Sequence, residues 1–125
     1  METIKIELNS YKNGKSTIFT GRPQGESVRE KINLDKIDED PNSVVVFLIP
    51  FDTTTFNPSF YLGLLFKSYQ TLGFTDFESK YSFEFETTDD ATKRVLLSNL
   101  EDGKRYAINS LNPISSFKSL FSKKK

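Results

Sequence analysis

The residues best placed to do chemistry are few. Asn57-Pro58-Ser59-Phe60 sets a hydroxyl just inside an expected helix start, behind the polar loop Asp52-Thr53-Thr54-Thr55. Asparagine is a favoured N-cap, and proline suits the first helical position, where the missing N–H would be unpaired anyway. A phosphate on Ser59 would meet the positive end of the helix dipole and add about two negative charges, enough to recruit or repel a partner. The same hydroxyl can equally do no more than satisfy its own helix end. A second candidate is Gly21-Arg22-Pro23-Gln24-Gly25, two glycines and an arginine before a helix. Glycines let backbone N–H groups approach an anion, so Gly21, Arg22 and Gly25 form either an anion cradle or partner contact, or a plain turn into the helix. The spacing fits neither the dinucleotide fingerprint nor the P-loop.

Acidic residues complete the inventory. Asp38-Glu39-Asp40 lacks the alternating oxygen ligands of a calcium loop and reads as a solvated turn. Asp52, Asp89 and Asp90 would have to serve any metal-dependent enzyme, and no spacing favours that. The chain has no histidine and no cysteine. This removes Ser-His and Cys-His catalysis, thiolate metal sites and disulfides. Seventeen basic and 17 acidic residues give a net charge of zero, against a dedicated nucleic-acid binder. No cofactor fingerprint is present, so no cofactor is expected.

The 125 residues suffice for one α/β domain, 1–111, followed by a Ser/Lys-rich tail, 112–125. Met1-Glu2 leads straight into a polar strand without a signal peptide, and no apolar run approaches bilayer length, so the expected compartment is the cytoplasm and no integral membrane segment is expected.

The elements that must position Ser59 centre on Val44–Ile49, an unbroken apolar, β-branched run that suits a strand buried on both faces. The helix after Asn57 runs to Gly73, apolar on most of its circumference, with Phe60, Tyr61, Phe66 and Tyr69 expected in the core. Upstream, Thr3–Leu8 alternates as a half-buried strand, with Ile4, Ile6 and Leu8 on one face. Asn13-Gly14 then predicts a hairpin returning over Ser16–Thr20. Ser27-Val28-Arg29-Glu30 has the form of a capping box opening a first helix that runs to about Ile37. Downstream, Gly73–Glu78 reads as a turn and a short helical piece. Ser82–Thr87 is a strand with Phe83 and Phe85 inward. Thr88-Asp89-Asp90 opens a last helix with Val95, Leu96 and Leu100 buried, ending at Asp102-Gly103. Tyr106–Leu111 is a further strand or an extension. In the tail, Phe117, Leu120 and Phe121 fall at helical spacing among lysines, either as a frayed end or as a weak surface-binding helix. The expected order is ββαβαβα, a mixed sheet with helices mainly on one face.

At Gly21–Glu30 and Asn57–Leu65 the chain resembles the STAS-like domain family of uncharacterised bacterial proteins. Phe83-Glu84-Phe85-Glu86 and Asp89-Asp90 match its aromatic-acidic strand and acidic helix start. The resemblance covers roughly residues 3–105. The wider group includes anti-sigma factor antagonists, in which an Asp-Ser-Ser-Gly helix start is phosphorylated on the second serine. Laid on this chain, Asn57 stands at the aspartate, Pro58 at the first serine, Ser59 at the phosphorylated serine and Phe60 at the glycine. The resemblance implies a non-enzymatic regulatory module whose partner is a histidine-kinase-type ATPase. Ser59, Asn57, Phe60, Asp52 and Thr54 would form the partner-binding or phosphorylation site. The alternative is a small-anion or nucleotide-binding domain that uses the Arg22 loop and the Ser59 helix start.

Overall fold

A computed structural model of the chain describes residues 2–11 and 17–111. In order come β1 (Glu2–Glu7), a 3-10 turn (Leu8–Tyr11), β2 (Ile18–Phe19), α1 (Arg22–Ile32), α2 (Leu34–Asp38), β3 (Ser43–Ile49), β4 (Thr55–Phe56), α3 (Pro58–Lys80), β5 (Tyr81–Phe85) and α4 (Asp90–Leu111). The class is α/β, as the alternation of patterns predicts. The Asn13-Gly14 turn and the tail from Asn112 lie outside the described residues.

The strand pairing corrects the hairpin. β1 pairs with β3 and β3 with β5, all parallel, in the order β1-β3-β5, while β2 pairs in parallel with β4 in a separate two-stranded sheet. The mixed sheet is therefore replaced by parallel pairs. The reason is burial. In register, Ile4 meets Val45 and Ile6 meets Phe47, so β1 adds its apolar face to the central strand. A local turn signal cannot match that gain.

β3 alternates between fully and half-buried positions rather than being buried on both faces. Val45, Phe47 and Ile49 are wholly buried against an aromatic layer. In that layer Phe47 stacks between Tyr81 and Phe83, and Tyr69 stacks on Phe77 at 3.8 Å. The opposite face carries the half-buried Val44, Val46 and Leu48 beside the exposed Thr3, Lys5, Glu7, Ser82 and Glu84.

Three helix boundaries depart from expectation. α1 begins at Arg22, not at the Ser27 capping box: Gly21 caps it at φ 92° and Pro23 lies in its first turn. It ends at Ile32, where Asn33 turns left-handed (φ 64°) and α2 starts a separate short helix. α4 runs through Gly103 to Leu111, which rules out a strand over Tyr106–Leu111. Gly103 is not a stop. A Cβ there would lie 2.5 Å from the Tyr61 ring, so the glycine is where α4 presses on α3. Val95 is exposed, while Leu96, Leu100 and Ala107 form the buried stripe. The break at Gly73 is as expected, since its φ of 79° splits α3 into 58–72 and 74–80.

α1 crosses α3 backbone on backbone at Gly25 and Gly63. A Cβ on Gly25 would fall on the Phe60 carbonyl oxygen and within 2.7 Å of the Leu64 nitrogen. One on Gly63 would fall on the Arg22 carbonyl oxygen and 2.9 Å from the Glu26 nitrogen. Gly63→Ala should therefore destabilise by about 1–3 kcal/mol or more through overpacking of backbone on backbone. Ser27→Ala, on the exposed side of α1, should stay within about 0.5 kcal/mol. Urea denaturation of both variants checks this; equal midpoints would contradict the bare crossing.

Candidate functional site

Because β3 and β5 are parallel, the intervening helix α3 must start at the carboxyl end of the sheet and run back. Residues 50–59, which follow β3, therefore lie at that end, where α/β sheets present their binding residues. The loop is tied down on one side. The Thr54 N–H donates to the Thr17 carbonyl at 2.7 Å, and the Thr53 N–H to the Pro50 carbonyl at 3.1 Å. The Asn57 N–H reaches the Phe19 carbonyl at 2.8 Å, and Asn99 of α4 accepts from the Phe56 N–H at 2.9 Å. On this fixed loop Phe51 stands 72 % exposed, next to the half-buried Asp52. Thr54 is exposed. Among the described residues, Thr53 has the one buried side-chain polar atom without a hydrogen-bond partner.

Ser59 is half-buried and fully engaged. Asn57 caps α3 as expected, its Oδ1 accepting from the Ser59 N–H at 2.8 Å and from the Ser59 hydroxyl at 2.5 Å. The Ser59 Oγ in turn accepts from the Gly21 N–H at 3.2 Å. The starts of α1 and α3 thus converge, and Ser59 joins them. Two candidates do not face solvent here. Phe60 is wholly buried, packed on Phe19 and Phe56 at ring separations of 5.2 and 5.1 Å, and is corrected from partner contact to core. Gly25 is corrected from anion cradle to helix contact, for the packing reason given above. Arg22 turns away from Ser59, down α3, where its guanidinium lies 5.5 Å over the Phe66 ring and 3.9 Å from Glu26. The anion-binding set is therefore not brought together on one point.

A buried polar cluster went unread in the sequence. Arg29, 6 % exposed, donates to the Leu64 carbonyl at 3.0 Å and to Ser68 at 2.8 Å, and pairs with Asp38 and Asp35 at 2.7 Å each. Ser68 and Tyr81 both donate to Asp38. Asp38 is therefore no member of a solvated turn: it is buried because two hydroxyl donors and a guanidinium satisfy its carboxylate. Beside it, Lys80 donates to the Asp40 and Ser43 carbonyls at 2.6 and 3.0 Å, tying the end of α3 to the entry of β3. The sequence signal was available only in part: Arg29 lies one turn beyond Gly25 on the same face of α1. The Arg29 hydrogen bond holds the Asp35 carboxyl below its usual range. Hydrogen bonds from the Thr92 hydroxyl and N–H do the same for Asp89, which caps α4. Among the described residues no group of three or more acidic side chains is placed to hold a metal, and no helix is long and apolar enough to cross a membrane.

No protein-family model matches the chain, and no curated protein or solved structure matches it significantly.

Two measurements test this geometry. Arg29→Met leaves the Asp38 carboxylate buried without its cation and should cost about 3–5 kcal/mol. Asp35→Asn removes only the exposed partner and should cost under about 1 kcal/mol. Similar losses in the two variants would contradict the buried pair. Burial also pushes the Tyr69 phenol up to about 12, and raises Tyr61 and Tyr81 well above the ordinary value, with the Asp38 contact adding to the effect on Tyr81. These raised values stabilise the fold fully below the unfolded phenol value of about 10, and that stability is lost as the pH climbs through the folded values. In an alkaline absorbance titration these three phenols should ionise late, together with unfolding. Ionisation of all five tyrosines near pH 10 in the folded state would contradict their burial.

Proposed function

We propose that this chain is a non-enzymatic, STAS-like regulatory module that binds a protein partner through the carboxyl edge of its sheet. Phe51 anchors the contact, and Asp52, Thr54, Asn57 and Ser59 surround it. The observation that carries the reading is Phe51 itself: a large aromatic ring held 72 % exposed on a loop pinned by backbone hydrogen bonds. Aromatic side chains on rigid supports are enriched at interface centres. The strand order supports a surface rather than a nucleotide crevice. β1-β3-β5 proceeds across the sheet in one direction, so it has no switch point at which a crevice would open.

Ser59 supplies the switch. Its hydroxyl proton is held by Asn57, and its oxygen holds the Gly21 N–H. Phosphorylation removes the proton that Asn57 accepts and inserts a bulky dianion between two helix starts. The dipoles of both helices favour that charge, while the Ser59 bridge between them is lost. The partner that the resemblance implies is a histidine-kinase-type ATPase, which would act on Ser59 and be released by the product.

The test is affinity capture with the full chain, with and without ATP, followed by phosphopeptide mapping of the chain recovered from its native cell. The expected result is an ATPase-domain partner that binds Phe51→Ala roughly 30-fold more weakly, with an unchanged melting temperature, and a phosphate on Ser59. An unmodified Ser59 in every condition would remove the switch. A captured ATPase that binds the Phe51→Ala variant equally well would remove the proposed surface.

A further inference from the structure

The three-stranded sheet is parallel throughout, yet among the described residues one of its faces is buried and the other is largely exposed. Parallel sheets occur almost always with both faces covered, and the central strand reads as a run made for burial on both sides. On the outer face, Val44, Val46 and Leu48 of β3 are half-buried between the exposed Thr3, Lys5 and Glu7 of β1 and Ser82 and Glu84 of β5, although their strand is the most apolar in the chain. The rim is acidic at the carboxyl end. Glu7 and Glu84 flank Leu48 in register, while Lys5 is one row back beside Val46. A depression of about 380 Å³ bounded by Lys5, Glu7, Ser10, Tyr11 and Leu48 adjoins the same end.

We infer that residues 112–125 of this chain cover that face, with Phe117, Leu120 and Phe121 on the Val44-Val46-Leu48 stripe and the tail lysines toward Glu7 and Glu84. Three observations converge on this occupant. The segment carries Lys118, Lys123, Lys124 and Lys125 and no acidic residue, the complement of the acidic rim. Its three apolar residues recur at i, i+3 and i+4, the spacing with which a helix would meet an apolar stripe. It also follows Leu111, which packs against the core. The six residue steps from Leu111 to Phe117 span up to ~20 Å when extended, about two layer spacings of ~10 Å, enough to round the sheet edge. A second copy is a poorer occupant, because it would set Glu7 and Glu84 against their own likeness. The inference stands apart from partner binding at residues 51–59, which uses a different surface.

Carbodiimide crosslinking of the full chain, mixed with a heavy-nitrogen-labelled copy, decides between the occupants. The expected products join Lys118 or Lys123–Lys125 to Glu7 or Glu84 within one chain. In the double variant Phe117→Ser/Phe121→Ser these links should fall roughly tenfold, with circular dichroism unchanged. Links between light and heavy chains would assign the face to a second copy and overturn the inference. So would tail lysines joined only to other acids, or an undiminished yield in the double variant. Flotation of the wild-type chain with phosphatidylserine vesicles in the absence of any cis link would make the tail a membrane-surface segment instead, which also overturns it.

Discussion

The bare crossing of α1 and α3 governs the arrangement of everything around it. Gly25 and Gly63 let the two backbones touch, and no side chain could be added at either position without forcing them apart. Contact at that distance aligns the helix starts, so the Gly21 N–H finds the Ser59 hydroxyl. One turn further along α1, it also brings the Arg29 guanidinium within reach of the Leu64 carbonyl and of Ser68 on α3. The candidate switch and the buried ionic cluster are two consequences of one steric fact.

The cluster sets the rest of the helical layer. A buried guanidinium has a high desolvation cost, and only a full set of acceptors makes it tolerable. Those acceptors come from α2 and α3, with Tyr81 at the start of β5 completing the shell around Asp38. Each acceptor fixes the position of its own element, so the short α2, which has little helical stability of its own, is held by charge as much as by Leu34. Lys80 extends the same logic to the entry of β3. The carboxyl edge is thereby left to rest on a rigid scaffold, with Phe51 projecting from it.

Strong local signals were legible in the sequence. Asn57-Pro58 opens α3, the left-handed Gly73 breaks it, Asp89 caps α4, and the Val44–Ile49 run is the central strand. Residues whose role is tertiary were misread. Gly25 and Gly103 look like loop and stop signals, but they serve as contact points against Phe60 and Tyr61, and glycine composition cannot separate those uses. The Asn13-Gly14 turn suggested a hairpin, whereas the value of Ile4 and Ile6 lay in meeting Val45 and Phe47 some 40 residues away. Of the candidate site, Ser59, Asn57 and Gly21 do converge. Phe60 is lost to the core, and the exposure of Phe51 has no signature in an apolar stretch that otherwise reads as buried. The Arg29-Asp38 pair was hidden because Asp38 sits in an acidic run with the exposed Glu39 and the half-buried Asp40.

We propose above all that a protein partner docks on the carboxyl edge around Phe51 and Ser59. The most direct measurement is amide hydrogen exchange on the chain, alone and in complex with its copurified partner. New protection is expected only at residues 17–21 and 51–59, with the exchange of α2 and the far end of α4 unchanged. Protection centred on α2 and the outer side of α1, with residues 51–59 exchanging as in the free chain, would contradict it.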